Sequence, residues 1–201
     1  MWGFIVNPAA GNGKGRQMFE RLQKSDLFQS LDSVYRYTEY EGHASEIAAE
    51  LSTDKGISKI IVVGGDGTIH EVINGLVDHS IPVGFIPGGS GNDFARGIGI
   101  DGSAEQILQQ LVQSTKKEKY WLGTYSHDGK EKRYFVNSMG FGFDAEIAHQ
   151  ANHSTYKKFF NHIHFGTGGY VVALLQVLKK FRPKTMEVII DGEKRVIENG
   201  L

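Results

Sequence analysis

The stretch Lys59–Leu76 reads KIIVVGGDGTIHEVINGL, and its interpretation decides the fold. Ile60, Ile61, Val62 and Val63 form a continuous β-branched run, the mark of a strand buried on both faces. Gly64-Gly65-Asp66-Gly67-Thr68 then breaks the run. After it, Ile69, Val72, Ile73 and Leu76 recur at the i, i+3, i+4, i+7 spacing of one helix face. A buried strand, a glycine turn and an amphipathic helix make one βα unit. The turn admits two readings. In one, the glycines only tighten the connection and Asp66 caps the helix. In the other, they let the backbone approach phosphate oxygens, and Asp66 handles the metal or charge that travels with them.

Working outward, the same alternation repeats. GFIVN (Gly3–Asn7) reads as a strand, and a helix is predicted over residues 15–24. VYRYT (Val34–Thr38) is a second strand, followed by Ala44, Ile47, Ala48 and Leu51 at helical spacing. VGFIP (Val83–Pro87) is a fourth strand. Ser103 with Gln106 three residues on is a capping-box signature, and Ala104, Ile107, Leu108 and Leu111 give the buried face of the helix it opens. Strands alternating with helices imply an α/β domain whose parallel sheet is covered on both sides. In such sheets ligands bind beyond the carboxyl ends of the strands. Three glycine turns fall there: NPAAGNGKG (7–15), GGDGT (64–68) and PGGSGNDF (87–94).

Near Lys116 the pattern changes from βα units to hairpins. One is predicted to turn at His127–Lys130 with Asp128-Gly129 as its tight pair, another at Asp191-Gly192. The expected organisation is therefore a parallel-sheet domain over 1–118, then the beginning of a β-rich, sandwich-like domain over 119–201 that is truncated at its C-terminus.

Composition narrows the function classes. With 201 residues, 40% of them hydrophobic, there is ample material for a core. A formal net charge of -1 provides no global field to recruit nucleic acid. The absence of cysteine excludes disulfides and thiolate metal sites and fits a cytoplasmic setting. The N-terminal residues lack the basic start and long apolar core of a secretory signal. The longest apolar run, Tyr170–Leu178, is too short to span a bilayer. The common phosphate loops also fail. Lys14 is followed by Gly15, not by the Ser or Thr of a Walker loop, and Gly11, Gly13 and Gly15 give GxGxG rather than GxGxxG.

Three glycine turns lining one crevice still suit a phosphate ligand. Gly64 and Gly65 remove side chains where phosphates would press on the backbone, and Thr68 and Ser90 offer hydroxyls. Asp66 and Glu71 suit Mg²⁺-bound phosphate better than bare phosphate. The segments VNPAAGNGKG (6–15), VVGGDGTIHEVINGL (62–76) and IPGGSGNDFARGIGI (86–100) together resemble the diacylglycerol kinase catalytic-domain family, which includes bacterial lipid kinases and sphingosine kinases. GGDGT alone is shared with NAD kinases and phosphofructokinases; NDFAR after PGGSG makes the match specific. YFVNSMGFGFDAEIA (134–148) resembles the family's entry into its second domain.

The resemblance implies an ATP-dependent lipid kinase that transfers the γ-phosphoryl group to a hydroxyl of a diacylglycerol-like lipid, as in phospholipid biosynthesis. It implies ATP and Mg²⁺ as cofactors, with Asn7, Thr38, Gly64, Gly65, Asp66, Gly67, Thr68, Glu71 and Ser90 at the nucleotide. Asp66 is the expected catalytic and metal-associated residue. Family members are longer, and their general base lies beyond the point where this chain stops. Asp191-Gly192-Glu193 looks like the family's late Asp-Gly-Glu motif but occurs too early, and it is read as a hairpin turn. The alternatives are an NAD-kinase-like enzyme with a soluble acceptor, or a nucleotide- or lipid-binding fragment without catalysis. His70 is read as a helix-surface residue.

Two further expectations concern partners. Between Ile147 and Met186 there is no acidic residue, while four histidines fall in that span and lysines, Arg182 and aromatics accumulate over 153–184. That composition suits peripheral contact with an anionic membrane; an ordinary helix with a solvated basic face competes with it. Exposed strand edges in a truncated β-domain would favour a homodimer.

Overall fold

The structure, a computed structural model, describes residues 1–76, 80–127, 130–140, 142–143, 145–146 and 182–200. The chain divides into two compact units, Met1–Asn137 and Ser138–Leu201. In the first, β1 (Trp2–Val6) leads into α1 (Ala10–Gln23) and α2 (Asp26–Gln29), and β2 (Ser33–Tyr37) into α3 (His43–Thr53). β3 (Lys59–Gly64) leads into α4 (Asp66–Gly75), and β4 (Val83–Pro87) into α5 (Asp93–Gly97) and α6 (Ala104–Gln113). The four strands form one sheet in the order β2-β1-β3-β4. All three pairings are parallel. The α/β architecture expected from the alternating pattern is thus present, with each predicted strand shifted by no more than one residue.

The period-two geometry of the central strands splits the core in two. Phe4, Val6, Ile61, Val63 and Ile86 pack on one side with Phe19, Leu22 and Phe28, and with Ile107 and Leu108 of α6. Ile5, Ile60, Val62 and Phe85 pack on the other with Ala44, Ile47, Ala48 and Leu51 of α3 and Ile69 and Val72 of α4. Phe4, Ile5, Ile60, Ile61, Val62 and Val63 have no exposed surface. Each such side chain contributes about 1.5–3 kcal/mol on burial, so the uninterrupted apolar run of β3 supports both cores at once.

Local side-chain caps start α2, at Ser25, and α6. Ser103 and Gln106 close the predicted capping box before α6. Regular helix in α1 begins only at Lys14, because Gly11, Asn12 and Gly13 all have left-handed φ. α2 and α5, absent from the sequence-based assignment, are single short turns of four and five residues.

β5 (Gly123–Tyr125) and β6 (Arg133–Phe135) form a hairpin of three residues per strand. Its predicted Asp128-Gly129 turn lies outside the described residues. Asn74 of α4 holds this hairpin by amide pairing. Its Nδ2 donates to the Tyr134 carbonyl at 2.9 Å, and the Tyr134 amide donates to its Oδ1 at 3.0 Å. The Tyr120 hydroxyl donates to the Val136 carbonyl at 2.8 Å. With these bonds the first compact unit continues to Asn137, past the change of sequence pattern near residue 118.

The second unit contains the antiparallel hairpin β7 (Lys184–Ile190) and β8 (Glu193–Gly200). Asp191 and Gly192 take φ of 51° and 86°, the pair of positive angles that a two-residue turn between twisted strands requires. Asp191-Gly192-Glu193 therefore lies at the hairpin turn, as expected. The basic, aromatic stretch lies outside the described residues through 181. Among the described residues no helix is long and apolar enough to cross a membrane.

Candidate functional site

Parallel strands deliver their carboxyl ends to one edge of the sheet. Following the strand order, that edge presents Thr38 after β2, Asn7 after β1, Gly64 at the end of β3 and Gly88 after β4. Ladder bonds hold the ends level: Thr38 N donates to Val6 O, Asn7 N to Val63 O and Gly88 N to Gly64 O, at 2.7–2.9 Å. Above them lies an open cleft of about 500 Å³, lined by Asn7, Gly11, Thr38, the segment Glu39–Glu41, Gly65, Gly67, Thr68, Glu71 and Gly89 among others.

Two kinds of glycine meet there. A Cβ at Gly65 would lie 3.1 Å from the Gly89 Cα, and one at Gly89 would lie 2.6 Å from the Gly65 Cα. These two turns touch backbone to backbone, so their glycines are required by the fold itself. Gly67 differs. No atom lies within 4 Å of its Cβ position, and its φ is not positive. Neither space nor conformation within the chain calls for glycine at 67; the open space it borders is the cleft. The α4 N-terminus begins there with Gly65 at its N-cap and no side-chain cap. Its first amides therefore carry the partial positive charge of a helix start toward the cleft.

The remaining predicted residues have specific local partners. Asn7 Oδ1 accepts from the Ala9 amide, and Asn7 Nδ2 donates to Thr68 Oγ1, both at 3.0 Å. Thr68, 4% exposed, is thereby fixed against the end of β1. Thr38 is 8% exposed and lines the cleft wall. Glu71 Oε2 accepts from the Ala44 amide at 3.1 Å, supplying α3 with the cap that Gly42 at its N-cap position cannot. Asp66 is not among the lining residues. Its Oδ1 accepts from the Phe94 amide at 2.9 Å, tying the first turn of α4 to the first turn of α5. Its Oδ2 points toward Gly91, where a Cβ would lie 3.2 Å away; the same position lies 3.6 Å from Asp93 Oδ2. Asp93 is paired with Arg96. Ser90 is exposed, and its neighbour Gly89 lines the cleft instead.

Several site residues escaped sequence reasoning. Glu39, Tyr40 and Glu41 form one wall of the cleft, and Tyr40 stacks on His43 with ring centroids 4.4 Å apart and planes 1° from parallel. An aromatic flanked by carboxylates immediately after a strand's carboxyl end was the available signal. The Tyr40 hydroxyl donates to Glu46 Oε2 at 2.7 Å, and that carboxylate pushes the phenol pKa up. His70, read as a helix-surface residue, is partly buried. Burial, followed by the charge of Arg133, lowers its pKa, while Glu71 opposes the shift.

The cleft is chemically asymmetric. A helix N-terminus and a glycine turn follow β3, while Glu39, Tyr40 and Glu41 follow β2, two positions away in the sheet. Glu71 of α4 also lines the cleft, and among the described residues no lysine or arginine does. Among the described residues no group of three or more His, Asp or Glu side chains is placed to hold a metal ion.

The diacylglycerol kinase catalytic domain matches residues 1–121. The chain belongs to that family. It is 33% identical over 205 aligned positions to a Bacillus subtilis protein named "Putative lipid kinase YtlR", covering 96% of this chain and 64% of that protein. It is 26% identical over 193 positions to a Mycobacterium tuberculosis diacylglycerol kinase, covering 96% of this chain and 60% of that protein. A solved structure titled "A putative diacylglycerol kinase from Bacillus anthracis str. Sterne" superposes with a TM-score of 0.48 at 30% identity, over 55% of this chain and 40% of that one. The chain thus spans about three fifths of the length of the curated relatives it matches.

Proposed function

We propose that residues 1–118 form the nucleotide-binding domain of an ATP-dependent lipid kinase and that residues 119–201 begin its lipid-substrate domain. The observation that carries the nucleotide reading is Gly67, a glycine with no reason inside the chain, set at an uncapped helix start on the cleft. A polyphosphate fits there, because a Cβ would fill the space that phosphate oxygens use and the helix amides would donate to them.

The donor set also fits a magnesium ion carried by the nucleotide. With carboxylates and, among the described residues, no lysine or arginine lining the cleft, bare polyphosphate would be repelled. Without a preformed multi-carboxylate cage, Mg²⁺ would keep phosphate and water ligands with one or two carboxylates, its usual habit. When bound it would neutralise charge on the transferring phosphoryl group. Asp66 is the carboxylate assigned to it, because Oδ1 is anchored on Phe94 while Oδ2 is directed to the 89–93 loop. Gly64, Gly65, Gly67 and Thr68 would hold the phosphates. Asn7 would fix the position of Thr68, and Thr38 and Glu71 would face the remainder of the nucleotide. Ser90 is assigned to the outer rim.

The acceptor is a hydroxyl of a diacylglycerol-like lipid, by analogy with the named relatives. Its deprotonation requires a base, which we place outside this chain. We place the enzyme in the cytoplasm. The basic and aromatic residues of 153–184 support contact with anionic membrane, and the exposed Ile189, Ile190 and Val196 of the second hairpin support self-association. The decisive assay uses a chain extended to the length of its relatives, with ATP and Mg²⁺. Phosphorylation of diacylglycerol in mixed micelles, with none of NAD, is expected. Transfer to NAD and not to lipid would overturn the reading.

A further inference from the structure

We infer that Tyr40, braced by His43, is the base-recognition platform of the cleft and makes the site prefer purine nucleotides over pyrimidine ones. The inference rests on the nucleotide reading above and adds what sets the choice of base. A nucleotide has a polyanionic end and an aromatic end, and the cleft is built with the same polarity. The turn after β3, at Gly65 and Gly67, supplies backbone donors. The segment after β2, separated from that turn in the sheet by β1, carries Tyr40, the one aromatic among the described residues that line the cleft.

This ring is held but not covered. It lies on the His43 imidazole at 4.4 Å, its hydroxyl is tied to Glu46, and yet the residue is 55% exposed. The brace is itself fixed, because the Glu39 amide donates to His43 Nδ1 at 3.1 Å and the His43 amide donates to the Tyr40 carbonyl at 3.3 Å. An exposed aromatic normally loses rotamer freedom on binding; here that freedom is already spent. Glu39 and Glu41, which flank the ring in the chain and also line the cleft, supply acceptors for the amine and hydroxyl donors of a nucleoside. A bicyclic purine offers such a ring more stacking surface than a monocyclic pyrimidine.

The test compares wild type, Tyr40→Ala and Tyr40→Phe by calorimetric titration with ATP, CTP and inorganic tripolyphosphate, all with Mg²⁺. Wild type is expected to bind ATP about tenfold more tightly than CTP, and Tyr40→Ala to weaken ATP at least about tenfold and close that gap. Tripolyphosphate, which has no base, should bind all three proteins alike. Tyr40→Phe, which keeps the ring, should stay within about threefold of wild type for ATP. Unchanged ATP binding in Tyr40→Ala, or an equal loss for tripolyphosphate, would overturn the platform while leaving the nucleotide site standing. A wild-type protein that binds neither ATP nor tripolyphosphate would overturn the site and the platform together.

Discussion

Replacing Gly67 by alanine separates a turn built for the fold from one built for a ligand. The Cβ position has no atom within 4 Å, and the backbone there is not left-handed. The methyl group therefore meets nothing in the chain. Alanine in a helix is favoured over glycine by roughly 0.5–1 kcal/mol, and less in the first turn, so the change in folding stability should lie between about 0 and +1 kcal/mol. The same methyl would stand where phosphate oxygens approach the helix amides, and ATP affinity should fall at least about tenfold, or ~1.4 kcal/mol. Gly89→Ala is the control. Its Cβ would sit 2.6 Å from the Gly65 Cα, a backbone contact that cannot give way, and the overpacking should cost about 1–3 kcal/mol of stability. Urea denaturation gives the stabilities and calorimetry the affinities. Destabilisation by Gly67→Ala of more than about 1 kcal/mol, or full ATP affinity in a stable Gly67→Ala protein, would refute the reasoning.

Other perturbations reach different parts of the structure. Asn74→Ala removes the amide pairing to both backbone groups of Tyr134, and at about 1 kcal/mol per bond it should cost roughly 2–3 kcal/mol in urea denaturation with faster amide exchange at Tyr134. Asp66→Asn retains an acceptor for the Phe94 amide, so stability should change by less than about 1 kcal/mol while Mg²⁺-dependent phosphoryl transfer by the extended chain is lost; unchanged turnover would remove Asp66 from its assigned role. His70 is held below its ordinary value of 6.5 by burial and Arg133. The unfolded chain therefore takes up a proton that the folded chain refuses, and stability should decline as pH falls through about 6.5 toward the folded pKa. His70→Gln should flatten that decline, which pH-dependent denaturation curves would reveal.

The sheet and its helices were legible because burial leaves a periodic trace. The β3 run, the 69–76 face of α4 and the Ser103–Gln106 box each follow from local chemistry, and each stands where expected. What sequence could not show is what the turns touch. GGDGT and PGGSG look alike as strings. Only their mutual contact shows that Gly65 and Gly89 serve each other, while Gly67 borders the cleft with no contact of its own. Asp66 looked like a cap for its own helix or a ligand-facing acid, yet it ties down a neighbouring helix that sequence periodicity could not signal because it is one turn long. Tyr40 and His43 sit in a polar stretch without periodicity, and their stacking depends on the chain reversal at Gly42, whose φ is 91°. Asn74 reads as a polar residue on an amphipathic helix; its pairing with Tyr134 spans 60 residues of chain.

The most direct measurement is a calorimetric titration of this chain with ATP, in the presence of Mg²⁺ and in its absence. The expected result is saturable, one-to-one binding that depends on Mg²⁺, because a cleft lined by Glu39, Glu41 and Glu71, with no lysine or arginine among its described lining residues, repels an unneutralised triphosphate. Absence of binding under both conditions, or equal binding without the metal, would contradict it.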